Sequence, residues 1–147
     1  MRLGATLLTL AALVAPPALA AGPGETVFNQ VCAACHQAGG VGAPGLAPSL
    51  VDPPFWQKLG TGAPGYVTGV LLGGLSGTIV ARGETLMGLV MPAQEALGDA
   101  DLAAAATYVL KDLNGIGVTV DASAVAAARK AVPSHAELRA QRKAAAQ

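Results

Sequence analysis

Cys32-Ala33-Ala34-Cys35-His36 puts two thiols three residues apart and an imidazole directly after the second. On a helical turn that spacing brings both sulfurs to one side and leaves the ring beside them. Three chemistries use such a set. Two thiols can form thioether links to the vinyl groups of a c-type haem while the histidine takes the iron from below. A C-x-x-C pair also serves as a redox dithiol, but that site follows a strand, and the residues before Cys32 carry a helical pattern. A zinc site needs a fourth ligand, for which only His135 or a carboxylate is on offer. The haem reading therefore leads. For a second axial ligand the chain offers His135, in a polar tail, and two methionines outside the leader, Met87 and Met91. Pro92 biases Met91 toward extended backbone.

The elements around the motif follow from periodicity and punctuation. Residues 25–36 read as a helix, with Gly24 and Thr26 as start signals and Phe28, Val31, Cys32 and Cys35 on one face. A glycine- and proline-rich loop over 39–48 has short side chains that allow backbone close to a bulky object. Pro64 opens a helix to about Leu72, with Thr61 and Gly62 as cap candidates, and Gly73, Gly74 and Gly77 end it. A small β-hairpin is expected near 78–87, turning at Gly83-Glu84. Asp99 is expected to cap a helix over 100–113 whose stripe is Leu102, Ala105, Ala106, Val109 and Leu113, with Asn114-Gly115 as the stop.

The chain has 147 residues, enough for one domain. Residues 1–20 have the layout of a secretory signal peptide: Arg2, an uncharged run from Leu3 to Val14, Pro16-Pro17, and small residues before a cut near Ala20. The apolar run is too short to span a bilayer, so no membrane span is expected after cleavage, and export places the protein in an oxidising compartment. Formal charge is zero, which argues against nucleic-acid binding. Aromatic residues are only 3%, so the core is expected to need something besides large side chains. Residues 121–147 carry a net charge of +3 against −4 over 21–120. This Ala-rich tail, with a capping box at Ser134-His135-Ala136-Glu137, is expected to form one or two helices as a solvated extension, with a docking element for a partner as the alternative.

Four blocks in order resemble the class I cytochrome c family: Gly24-x-x-x-Phe28-x-x-x-Cys32-Ala33-Ala34-Cys35-His36, then Pro48-Ser49-Leu50, then Met91-Pro92-Ala93, then Leu102 to Tyr108-Val109. The resemblance covers residues 24–114 and is closest to small haem proteins and haem subunits of bacterial periplasmic dehydrogenases. It implies an all-α fold around one covalently bound haem c, held through Cys32 and Cys35, with His36 and Met91 on the iron. It further implies that the Pro48 carbonyl accepts from His36, that Gly24 lets the first helix cross the last near Tyr108, and that Phe28 packs beside the haem edge. Trp56 and Tyr66 are expected to pack, with a propionate as the alternative partner of each. Arg82 is expected in solvent, with a propionate as its alternative. Ala105 departs from the family, many of whose members carry a bulky aliphatic there.

The expected organisation is thus a signal peptide (1–20), a cytochrome c domain (21–115) and a basic extension (116–147). The expected function is periplasmic electron transfer, as a shuttle or as the haem subunit of a dehydrogenase. Its partners would be a dehydrogenase donor and a cytochrome or oxidase acceptor, with no catalytic residues in this chain. The alternative is a haem sensor or ligand-binding module with a labile Met91.

Overall fold

The computed structural model describes residues 21–146, so the leader and its cleavage near Ala20 lie outside the described residues. Helix α1 runs over residues 23–36. It starts two residues before the expected Glu25, because Pro23 suits a first helical position and Gly22 takes the cap. Thr26 is inside the helix and its hydroxyl donates back to the Gly22 carbonyl at 3.0 Å. The middle of α1, Phe28–Cys32, is wound as a wider π-turn. His36 closes the helix, and Gln37 follows at a positive φ of 62°.

Helix α2 (Pro53–Leu59) is capped by the Asp52 carboxylate, which accepts from the Phe55 N–H, and α3 (Ala63–Gly73) follows with Pro64 in its first turn. Strands β1 (Leu75–Ser76), β2 (Ile79–Ala81), β3 (Glu84–Leu86) and β4 (Val90–Met91) form two antiparallel pairs, β1 with β4 and β2 with β3. The expected hairpin is present, but its turn is Arg82-Gly83, one residue earlier than read. Ala81 pairs with Glu84, and both turn residues have positive φ, the two-residue geometry that matches strand twist.

Helix α4 covers residues 99–112, α-helical over Asp99–Thr107 and π-wound over Tyr108–Asp112. Gly98 is its cap, not Asp99. Asp99 stands inside the first turn, where its charge suits the helix dipole, and its carboxylate is taken by Arg129 at 2.6 Å. The end at Asn114-Gly115 is as read, with Gly115 at φ 67°. Asn114 is buried and ties the loop to this helix: its side-chain amide donates to the Leu50 and Val109 carbonyls, and its oxygen accepts from the Asp52 N–H.

Helices α1 and α4 cross closely. A Cβ on Gly24 would lie 2.3 Å from the Ala104 oxygen and 2.8 Å from the Tyr108 Cβ, so only glycine admits the approach. Beside the crossing the Phe28 and Tyr108 rings stand 5.2 Å apart. A second aromatic cluster, Phe55, Trp56 and Tyr66, fills the space between α2 and α3 in edge-on contacts. The five aromatic side chains are therefore all in the core.

The tail corrects the expectation of a solvated extension. Helices α5 (Ala122–Ala128) and α6 (His135–Ala145) fold back and bury Val125, Leu138 and Ala145 in the same core as α1, α3 and α4. Helix α5 lies along α4, and α6 lies against α2, α3 and the strands. The Ser134–Glu137 capping box opens α6 as read. Arg129 secures the entry to the tail, donating to Asp99 and to the Glu95 and Leu97 carbonyls.

Candidate functional site

A cleft with about 990 Å³ of space, open mouth included, lies between α1, the 46–50 loop, α3, the strands and α6. An apolar cleft with a few converging polar groups is the usual form of a small-molecule or cofactor site. Its walls are mostly apolar: Leu46, Leu50, Val70, Leu75 and Ile79 contribute alongside Cys32, Cys35, His36 and Met91.

The last turns of α1 deliver the motif. Cys32 is half-buried and Cys35 exposed, and both thiols are free. Burial pushes the Cys32 thiol above its ordinary value. A redox dithiol needs the opposite, a thiolate favoured by nearby positive charge. No group of three or more His, Cys, Asp or Glu side chains converges on a point among the described residues, so the zinc arrangement is not formed.

His36 is buried, and its Nδ1 meets the Pro48 carbonyl oxygen at 3.1 Å. A carbonyl accepts only, so Nδ1 carries the proton and Nε2 is left with its lone pair. Burial holds the imidazolium below its ordinary range, and the bond to Pro48 opposes that fall. The ring is thus oriented, kept neutral, and equipped to bind a metal through Nε2.

Met91 ends β4, where pairing with Leu75 sets its backbone. The approach is close: a Cβ on Gly74, itself at φ 72°, would sit 2.5 Å from the Met91 oxygen. Met91 lines the cleft and is partly buried. Met87 is 74% exposed and lies outside it. Imidazole, thioether, two thiols and apolar walls form a donor set that fits a haem: nitrogen and sulfur for iron, thiols for vinyl groups, hydrocarbon for the macrocycle.

Other expected positions differ. Phe28 is fully buried against Tyr108 at the helix crossing and does not line the cleft. Trp56 spends its N–H on the Leu50 carbonyl at 2.9 Å, which supports the packing role. Tyr66 does line the cleft. Arg82 occupies the exposed hairpin turn, away from this cleft.

The sequence reading missed Arg142, which reaches the cleft from the last turn of α6. The available signal was its place four residues after Leu138, a charge on the buried face of an amphipathic helix.

The family model described as Cytochrome c matches residues 21–112. No curated protein matches the chain. The match stops before α5 and α6, the second of which brings Arg142 to the cleft.

Proposed function

This chain belongs to the cytochrome c family, and on that premise we propose that it is a monohaem electron carrier with His36 and Met91 as axial ligands, working in the periplasm. Haem-based electron transfer is the general function of the family. The observation that carries the finer reading is His36, its Nδ1 engaged by Pro48 and its Nε2 open, in one cleft with Cys32, Cys35 and Met91.

Haem supplies a one-electron Fe(III)/Fe(II) couple when bound. Cys32 and Cys35 would tether it through their thiols. His36 would hold the iron through Nε2, with the Pro48 carbonyl strengthening that donation by pulling on the Nδ1 proton. Met91 would offer a soft, neutral thioether, which favours Fe(II) and raises the potential. Electron exchange with partners would then run through the cleft mouth without substrate binding to the metal. Leu46 and Val90 are exposed there and give that mouth an apolar rim.

Among the described residues no helix is long and apolar enough to cross a membrane. The proposed donors are periplasmic dehydrogenases and the proposed acceptors a cytochrome or an oxidase. The tail is packed onto its own chain, so its charge gives no argument for a docked subunit over a mobile shuttle. Co-purification with a larger polypeptide distinguishes the two.

The test is the protein exported from a strain that matures c-type haem. Its mass should exceed that of the polypeptide by one haem. The oxidised spectrum should show the weak red band of sulfur-ligated ferric iron. A bare polypeptide mass overturns the proposal. Fast carbon monoxide binding to the untreated ferrous protein at neutral pH favours a ligand-binding module instead.

A further inference from the structure

We infer that Arg142, delivered by α6, binds a haem propionate, so that this helix completes the cofactor site from outside the family-matched region. The inference rests on the haem reading above and adds to it the group that recognises the cofactor's carboxylate.

Among the described residues, Arg142 is the one residue lining the cleft that is charged at every working pH, and no aspartate or glutamate lines it. The side chain is 9% exposed. The Arg129–Asp99 pair is the one salt bridge among the described residues, so no carboxylate among them pairs with the Arg142 guanidinium. A largely buried cation needs compensation, and three neighbours supply part of it without bringing a countercharge. Nε donates to the Val80 carbonyl at 2.8 Å, one terminal nitrogen reaches the neutral Tyr66 hydroxyl at 3.4 Å, and the Phe55 ring lies 4.4 Å beneath the guanidinium carbon. The other terminal nitrogen has no hydrogen-bond partner among the described residues.

These contacts fix the guanidinium plane and leave donors for one more acceptor. A guanidinium held in this way matches a carboxylate, which accepts two parallel N–H bonds. The cleft provides no such acceptor of its own, while a haem brings two propionates. The contacts to Val80, Tyr66 and Phe55 therefore preorganise Arg142 for an anion that arrives with the cofactor. They also join the hairpin, α2 and α3 to the same site.

The experiment uses the holoprotein with haem labelled with carbon-13 at the propionate carboxylates, reduced so that iron is diamagnetic. Carbon-13 spectra are followed against pH in the parent protein, Arg142→Gln and Arg142→Lys. In the parent, one carboxylate should stay ionised to clearly lower pH than the other. Arg142→Gln should raise the proton affinity of that carboxylate about 10-fold or more, and Arg142→Lys should restore part of the difference. The midpoint potential of Arg142→Gln should fall, since a nearby cation disfavours the ferric charge. A purely structural arginine would lower stability without changing one propionate's titration. Two parent carboxylates that titrate together overturn the inference, even if Arg142→Gln fails to keep its haem. So does an Arg142→Gln protein whose titrations match the parent's. A chain that carries no haem at all is recognised by its mass, and that result defeats the preceding proposal first and this inference with it.

Discussion

His36 donates from Nδ1 to the Pro48 carbonyl oxygen over 3.1 Å, joining the end of α1 to the loop that faces it. The bond links two parts of the chain that local sequence patterns treat separately. It fixes the ring's tautomer and leaves Nε2 as the basic nitrogen.

Freeing the backbone at residue 48 should loosen that bond. Pro48→Ala keeps the carbonyl but loses the ring that fixes φ. A less basic imidazole stabilises Fe(III) less, so the midpoint potential should rise, by up to about 60 mV, the one-electron equivalent of a tenfold change. Spectroelectrochemical titration of the holoprotein measures it, and a lowered potential would count against this role for Pro48.

The two methionines should behave oppositely. Met91→Ala should remove the red band and lower the potential, because a soft ligand that favours Fe(II) is gone. Met87→Ala should change neither, since Met87 is in solvent. If the spectrum responds to Met87 instead, the ligand assignment is wrong.

Gly24→Ala should destabilise the holoprotein by about 1–3 kcal/mol, the usual cost of overpacking. The added carbon would meet the Ala104 oxygen at 2.3 Å, a backbone atom that moves only with α4. Thermal unfolding at matched haem content reads the effect. A Tm equal to the parent's would show that α1 and α4 can separate freely.

Leu138→Ala tests whether the tail belongs to the core. Leu138 is fully buried and lies against the α3 face at Gly69. Removing its side chain should cost about 2–5 kcal/mol. A solvated extension would show almost no loss in denaturant unfolding.

Acid should weaken the start of α6. The Ser134 hydroxyl and N–H both donate to the Glu137 carboxylate and hold it below the ordinary value of 4.5. A carboxyl whose folded value is depressed stabilises the fold above its unfolded value, and loses that contribution as pH falls through the folded one. Glu137→Gln should therefore flatten the acid side of the stability curve. The group is exposed, so the change is small, and urea midpoints collected between neutral and acid pH resolve it.

Much of the site was legible because its signals are local. Cys32, Cys35 and His36 are adjacent, Pro92 marks Met91, and the Asn114-Gly115 stop needs no tertiary information. The hairpin was legible as an element, but its turn was misplaced because Gly83-Glu84 and Arg82-Gly83 share the same glycine. Phe28 was legible as an apolar position, but its partner Tyr108 comes from the far end of the matched region, which no local pattern gives. Asp99 reads as a cap in isolation, but Gly98 takes that place and the Asp99 carboxylate goes to Arg129, 30 residues away. The tail hid its packing behind small side chains. Ala-rich helices have weak hydrophobic contrast, so α5 resembled a solvated segment although Val125 is fully enclosed. Arg142 was passed over for another reason: its spacing from Leu138 marked the buried face of α6, but its neighbours Phe55, Tyr66 and Val80 are distant in sequence.

Helix α6 and helix α1 form opposite sides of the same enclosure, although one is built last and the other first. A chain emerging from its N-terminus therefore presents both sulfur nucleophiles long before the final wall exists. A haem tethered as proposed would meet a site still open on that side until the C-terminal segment docks. Shortening the polypeptide at its far end would then leave that haem more exposed to water.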